Sequence, residues 1–163
     1  MGPLTASEID ALHAALDDEY RAWATYDQVI ADFGEMPPFS NIRAAEARHI
    51  EALRSLFDRY SLPLPENPWP GKVTRYPSLR EACEAGVAAE IENAALYERL
   101  LASTQRPDIL TVFRNLQEAS QQRHLPAFQR CAQRESQGGG RGGGRRGGGG
   151  RWRRDQWGRR HGT

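Results

Sequence analysis

Apolar residues recur every three or four positions in four segments of the chain, which is the spacing of amphipathic helices with one buried face. No segment alternates between apolar and polar residues for long enough to predict a sheet. The segments are also rich in Ala, Leu, Glu, Arg and Gln, which favour helix formation. The pattern predicts an all-α fold with helices over about 8–33, 41–60, 79–103 and 108–134.

Residues at the boundaries support these four helices. Ser7, Ser40 and Ser78 precede the first three helices and are their predicted N-caps. Pro126 lies inside the fourth segment, where its missing backbone N–H predicts a kink.

The connections predict how the helices are arranged. About seven residues join the first two helices and about four join the last two, and short links favour antiparallel neighbours. The link over 61–77 has 17 residues, with five of the ten prolines, which suits an extended crossover. Two antiparallel hairpins joined by a long crossover form the ferritin-like four-helix bundle.

Charge divides the chain of 163 residues into two parts. Residues 1–135 carry a net charge of −6, whereas residues 136–163 carry +7 and 12 of the 16 glycines. The segment 1–135 is therefore predicted to form the bundle, and the Arg/Gly-rich segment 136–163 a disordered tail. The acidic body excludes a single, uniformly basic nucleic-acid-binding domain.

The sequence shows no sign of a membrane or export segment. No stretch approaches the roughly 20 apolar residues that a membrane-spanning helix needs. The first residues lack the basic and apolar regions of a signal peptide, so a cytoplasmic location is expected. Cys83 and Cys131 are too far apart for a Cys-x-x-Cys motif, and the sequence leaves open whether they pair or remain buried thiols.

Ionisable side chains lie on the apolar faces of the predicted helices. Glu19 and Glu90 fall within apolar stripes of the first and third helices. Glu46 and His49 lie one turn apart on the inward face of the second helix, and His124 flanks the stripe of the fourth. Burying an unpaired carboxylate costs several kcal/mol, and few inward basic residues are present to neutralise these. A divalent cation held by carboxylates and imidazoles would resolve the imbalance.

The two halves of the body resemble each other, which indicates an internal duplication of one helical hairpin. One residue pair recurs at an offset of 71 and a second at an offset of 75. The pairs are Glu19/Tyr26 with Glu90/Tyr97, and Glu46/His49 with Gln121/His124. Two hairpins related by a pseudo-twofold axis would bring the carboxylates and imidazoles to one level of the bundle.

The order Glu, Glu-x-x-His, Glu, x-x-x-His resembles the di-iron carboxylate proteins of the ferritin and rubrerythrin superfamily. The stretches "PFSNIRAAEARHIEAL" and "VFRNLQEASQQRHLPAFQRC" are similar to the bacterial ferritin-like family 2202 among the domains of unknown function. The resemblance covers about residues 5–134. It implies one or two bound ions, of iron or alternatively manganese or zinc. The implied ligands are Glu19, Glu46, His49, Glu90 and His124.

The chain departs from the superfamily at two positions. Gln121 stands where the fourth helix would carry a glutamate, and Asn93 stands where rubrerythrins place a second glutamate on the third helix. Three carboxylates remain, which leaves a place for an exogenous anion, a hydroxide bridge or a single metal. Residues expected to hydrogen-bond the ligands are Tyr26, Asn93, Tyr97 and Gln121.

The function that the resemblance implies is a di-iron or di-manganese oxidoreductase acting on ferrous iron, dioxygen or peroxide. Because no Cys-x-x-Cys pair is present, any redox cycle needs an external electron donor. The alternative is a non-catalytic helical scaffold or a metal-storage protein. The sequence leaves open whether the protein forms a homodimer.

The tail suggests a second kind of contact. Arginines with interspersed tryptophans can follow a phosphate backbone and stack on bases, so nucleic acid or an acidic partner is a candidate ligand. The alternative is a solubilising or self-associating tail. The residues that would carry the contact are Arg145, Arg146, Arg151, Trp152, Arg153, Arg154 and Trp157.

Overall fold

The computed structural model describes residues 2–138, and all regular structure in that range is helical, as predicted. The predicted contact residues of the tail, from Arg145 to Trp157, lie outside the described residues. The helices are α1 (Ala6–Phe33), α2 (Phe39–Arg59), α3 (Leu79–Leu101), α4 (Pro107–Ala119) and α5 (Leu125–Gly138), with a π-helical turn over Ser120–His124 between the last two.

The N-terminal caps differ in part from the predicted ones. Thr5 rather than Ser7 caps α1, because Thr5 and Glu8 form a reciprocal capping box in which each side chain bonds the other's backbone N–H. Pro38 rather than Ser40 precedes α2 and makes no side-chain cap. Ser78 caps α3 as predicted, by accepting a hydrogen bond from the N–H of Glu81 at 3.2 Å.

The predicted kink at Pro126 takes the form of a widened turn just before the proline. Leu125 N–H bonds the carbonyl of Ser120, five residues back, so the chain makes one π turn and then continues as α5. A proline has no N–H to offer the preceding turn, which makes such a local change of hydrogen bonding favourable. Within the described residues, the helix that follows extends to Gly138, beyond the predicted end near Arg134.

Neighbouring helices run antiparallel. In α1 and α2, Asp27 pairs with Arg43 and Glu19 with His49, so residue numbers rise on one helix as they fall on the other. The same reversal relates α1 to α3, α2 to α4, and α3 to the α4–α5 rod.

Two apolar clusters fill the interior. One contains Leu16, Phe57 and Phe113, and the other contains Phe39 and Phe128. The ionisable residues of the predicted metal site occupy the helical turns between the two clusters.

The long connection between α2 and α3 lies against α1. The hydroxyl of Tyr20 donates a hydrogen bond to the carbonyl of Pro65 at 2.8 Å, and Asn67 donates to the carbonyl of Tyr20. The indole N–H of Trp69 donates to Asp17 at 2.9 Å. The connection is therefore an extended segment held against α1. None of the helices within residues 2–138 has the length and apolar character to cross a membrane.

A disulfide links α3 to α5. Cys83 and Cys131 are both buried, and their Cα atoms lie 5.7 Å apart. Cys83 lies seven residues before Glu90, and Cys131 lies seven residues after His124. The sequence leaves open whether the two cysteines pair, and the structure joins them in a disulfide. The bond lies within the apolar cluster that contains Phe128.

Gly86 allows α3 and α5 to approach closely. A Cβ atom built on Gly86 would lie 2.6 Å from Cδ1 of the Phe128 ring. Gly86→Ala is expected to destabilise the fold by up to about 2 kcal/mol, because overpacking costs about 1–3 kcal/mol and the gain in helix propensity returns about 1 kcal/mol. Urea unfolding followed by circular dichroism measures the change.

Phe128→Leu provides the control for that prediction. A smaller side chain at position 128 makes room for the added methyl group, so the double variant should lose less stability than the sum of the two single variants. Additivity within about 0.5 kcal/mol would show that the contact with Phe128 is not the cause.

Candidate metal centre

The five side chains that the sequence selects as ligands lie together in the interior. They come from four separate elements, because Glu19 is on α1, Glu46 and His49 are on α2, Glu90 is on α3 and His124 ends the π turn. They form two groups of three, and within each group the potential ligand atoms all lie within 4.8 Å of one another. The groups are Glu19, Glu46 and His49, and Glu46, Glu90 and His124.

Glu46 belongs to both groups, and each of its carboxylate oxygens faces a different histidine. Oε2 lies 2.9 Å from Nδ1 of His49, and Oε1 lies 3.2 Å from Nδ1 of His124. The same ring nitrogen of each histidine also lies near a second carboxylate, since Glu19 Oε2 is 3.4 Å from Nδ1 of His49 and Glu90 Oε1 is 3.6 Å from Nδ1 of His124. The arrangement is two three-residue groups that share one central carboxylate.

These carboxylates are almost completely removed from solvent. Glu19, Glu46 and Glu90 are 1%, 2% and 3% exposed. Within residues 2–138 no arginine or lysine forms an ion pair with any of the three, so only the two histidines offset their charge. Such a buried group of acids is expensive unless positive charge is held among them.

The two histidines supply positive charge to this cluster, because the carboxylates favour their protonated forms. Burial alone would lower the pKa of His49, but its hydrogen bonds with Glu19 and Glu46 outweigh burial and raise the pKa to about 10. For His124, the hydrogen bonds with Glu46 and Glu90 likewise overcome burial and raise the pKa to about 9. Both imidazoles are therefore cationic at neutral pH in the metal-free chain.

The two carboxylates around His49 titrate differently. Burial, reinforced by the charge of Glu46, raises the pKa of Glu19 to about 7. Burial acts in the same direction on Glu46, but hydrogen bonds from Glu19, His124 and His49 lower the pKa of Glu46 below its usual value. The central carboxylate is therefore ionised, while Glu19 is partly protonated near neutral pH.

Two tyrosines position the outer carboxylates, and each comes from the opposite hairpin. Tyr26 on α1 donates a hydrogen bond to Glu90 Oε1 at 2.9 Å, and Tyr97 on α3 donates to Glu19 Oε1 at 2.6 Å. Burial first, and then the neighbouring carboxylates, raise the pKa of each tyrosine well above its usual value, so both hydroxyls remain protonated donors. The exchange follows the internal repeat that the sequence predicts.

Asn93 also contacts the centre, but its shortest hydrogen bond is to Asp18, a residue that the sequence pattern does not single out. Its amide donates to Asp18 Oδ2 at 2.6 Å and approaches Glu19 Oε1 at 3.4 Å. Burial, only partly offset by the hydrogen bond from Asn93, raises the pKa of Asp18 to about 6. The sequence does place two further acids, at positions 17 and 18, directly before Glu19. Helical periodicity puts only Glu19 fully on the inward face, so it gives no reason to select Asp18.

Gln121, predicted to hydrogen-bond a ligand, is exposed instead. Ser120 takes that place, because its hydroxyl donates to Glu90 Oε2 at 2.6 Å. The cause is the π turn. Its wider spacing brings the residue four positions before His124, rather than three, onto the buried face. The structure thus brings together the five predicted ligands and three of the four predicted neighbours.

A cavity of about 380 Å³ lies against one side of this cluster, between α1, α3 and the crossover. Its lining includes Tyr26, Glu90, Asn93 and Asp18, and the small residue Gly86 lies on its α3 wall. Dioxygen and peroxide are small enough to occupy such a space. The donor set itself suits a hard or borderline cation, because it offers carboxylate oxygens and imidazole nitrogens without sulfur.

These features define an all-helical protein with a buried cluster of carboxylates and imidazoles. A search of solved structures finds a similar fold in the crystal structure of hypothetical protein MJ0754 from Methanococcus jannaschii DSM 2661, with a TM-score of 0.74 and 23% sequence identity. The match covers 83% of this chain and 85% of that chain. At this identity the likeness concerns the fold alone. No family model and no curated protein matches the sequence.

Proposed function

We propose that the protein is a ferritin-like four-helix bundle of the di-iron carboxylate type, in which the cluster binds one or two ions of iron or manganese. Its activity would be that of an oxidoreductase acting on ferrous iron, dioxygen or peroxide. The observation that carries the proposal is the position of Glu46, whose two oxygens face two histidines that each have a further carboxylate beside them. A carboxylate placed in this way can bridge two ions.

The antiparallel helix pairs and the long crossover support the bundle arrangement. In that arrangement Glu19 and His49 would hold one ion, Glu90 and His124 would hold the other, and Glu46 would contact both. Bound iron or manganese would supply one-electron chemistry toward dioxygen or peroxide. With neutral histidines, three carboxylates leave one positive charge on two divalent ions, so a hydroxide or another small anion would complete the balance.

The chain's own residues have separate tasks in such a centre. Tyr97 holds one oxygen of Glu19, which leaves the other oxygen directed at His49. Tyr26 and Ser120 hold the two oxygens of Glu90. Hydrogen bonds of this kind fix the orientation of a ligand and tune its basicity. The apolar clusters on both sides limit the access of water, and the cavity beside Glu90 gives a small molecule a path to the centre.

Metal analysis and ferrous oxidation test the proposal. The purified full chain is expected to contain iron or manganese, and to oxidise ferrous iron faster than it is oxidised in buffer alone when dioxygen or peroxide is added. Glu46→Ala/His49→Ala should lose both properties. Glu118→Gln alters an exposed glutamate of α4 that forms no ion pair within residues 2–138, and it should retain them.

The possible outcomes separate the alternatives. A chain that binds no divalent metal would refute the proposal and leave a helical scaffold. A chain that binds iron but oxidises it at the background rate would indicate storage or a structural role. Iron bound equally by the wild type and by Glu46→Ala/His49→Ala would place the metal elsewhere.

A further inference from the structure

Arginines surround a groove on the surface formed by α2 and α5. The groove has a volume of about 350 Å³ and lies away from the cavity between α1 and α3. His124 forms part of its floor, while Ala45 and Ala127 contribute small apolar side chains. The four arginines that line it are Arg48, Arg123, Arg130 and Arg134.

These arginines lack the acidic partners that most other arginines of the body have. Among the lining residues there is no aspartate or glutamate, and none of the four arginines forms an ion pair with another residue of 2–138. Six of the nine other arginines in that range pair with a carboxylate. The contrast is sharp because residues 1–135 carry a net charge of −6.

The placement of these exposed charges is slightly unfavourable without an anion. Arg130 and Arg134 are four residues apart on α5, where like charges destabilise a helix. Arg48 faces them from α2 across the groove. Guanidinium groups form paired hydrogen bonds with the oxygens of phosphates and carboxylates, so an oxyanion in the groove would relieve the repulsion and use the unoccupied donors.

We propose that this groove binds a small oxyanion with two or more negative charges, of the kind found in diphosphates and polycarboxylates. The volume lies within the range of small-molecule sites, about 300–1,000 Å³. The four positive charges favour a multiply charged ligand over a singly charged one. His124 is only 4% exposed and separates the groove from the carboxylate cluster, so the bound anion would lie next to the candidate metal centre.

Calorimetric titration of the metal-free full chain tests this inference, with pyrophosphate and citrate as probes and acetate as the singly charged comparison. The metal-free form avoids chelation by the probes. Pyrophosphate or citrate is expected to bind saturably with one site per chain, and Arg48→Gln/Arg130→Gln should weaken that binding by at least about 10-fold. Preference for pyrophosphate would indicate a phosphate-bearing ligand, and preference for citrate a polycarboxylate.

Arg54→Gln/Arg114→Gln is the matched control. It removes the same number of exposed arginines from the described helices, outside the groove, and neither forms an ion pair within residues 2–138. Affinity should stay within about twofold of the wild type. Equal loss in both double variants would overturn the inference, because it would indicate only general charge attraction.

Two further results would also decide the matter. Binding of a single-stranded oligonucleotide that depends on Arg48 and Arg130, with no binding of pyrophosphate or citrate, would overturn the small-ligand assignment in favour of nucleic acid. Groove-dependent binding of pyrophosphate by a chain that takes up no metal would support the inference while refuting the proposed function.

Discussion

Glu46→Gln is expected to abolish metal binding at both positions of the candidate centre, whereas Glu90→Gln is expected to abolish it at only one. The reason is geometric, since the two oxygens of Glu46 face His49 and His124 separately and Glu90 approaches only His124. Loss of a residue that merely orients a ligand costs about 10- to 100-fold in affinity, so loss of the shared carboxylate should cost more than about 100-fold.

The stoichiometry of Mn²⁺ binding, followed by calorimetry and by metal analysis after gel filtration, measures the difference. The wild type should bind two ions, Glu90→Gln one and Glu46→Gln none. Glutamine keeps the size of the side chain, and thermal unfolding of each variant confirms that the fold persists. The exposed change Glu118→Gln should leave two ions bound. If Glu46→Gln and Glu90→Gln each retained one ion, the carboxylate of Glu46 would not be shared.

Most of this centre follows from regular helical geometry. Glu19, Glu46, His49 and Glu90 lie on uninterrupted α-helices, where a period of about 3.6 residues per turn assigns each side chain to a face. The same period fails between residues 120 and 124, because the π turn changes the number of residues per turn. Pro126 signals a disturbance in the sequence but does not specify its form, so the repeat matches Gln121 to Glu46, whereas Ser120 is the residue that contacts Glu90.

Other differences arise from choices that one sequence leaves open. Thr5 and Ser7 are both acceptable caps, and the decision depends on Glu8 reaching back to Thr5, a Thr-x-x-Glu pattern that the sequence does contain. The pairing of Cys83 with Cys131 depends on how closely α3 and α5 approach. That approach in turn depends on Gly86 packing against the Phe128 ring, and periodicity alone carries no information about it.

The arginine groove shows a different limit of sequence reasoning. Arg48 and Arg130 lie 82 positions apart, on helices whose outer faces the sequence describes only as polar. Their lack of acidic partners becomes visible when the packing of α2 against α5 is known. The net charge of the whole body is negative, so a count of charges along the chain does not reveal this local basic surface.

Metal binding is expected to release about two protons per chain at pH 7 and to strengthen as the pH rises, because ligands must be deprotonated to bind a cation. His49, with a pKa raised to about 10, and His124, with a pKa raised to about 9, are both protonated at neutral pH in the metal-free chain. A bound cation would replace those two protons as the positive charge among Glu19, Glu46 and Glu90. Glu19, whose pKa is about 7, would add a fraction of a proton.

The sign of the pH dependence follows from these values. Below pH 7 the protons on Glu19, His124 and His49 compete with the metal. They are lost only as the pH rises through about 7, 9 and 10, respectively. Release of two protons from the imidazoles corresponds to a gain in affinity of about 100-fold per pH unit between pH 6 and 8, and Glu19 adds to this gain below about pH 7. The gain should level off above pH 10, where no ligand proton remains to be displaced.

Zn²⁺ titrations at pH 7 in two buffers of different ionisation enthalpy measure the number of protons released. His49→Gln should release about one proton fewer than the wild type, because one of the two imidazolium groups is missing. His13→Gln alters a histidine that packs on Phe57, away from the carboxylates, and should release as many protons as the wild type. A binding enthalpy that is the same in both buffers would show that the imidazoles carry no proton for the metal to displace. In that case the histidines could not be the groups that offset the buried acids, and the charge balance that favours a cation here would have to come from another source.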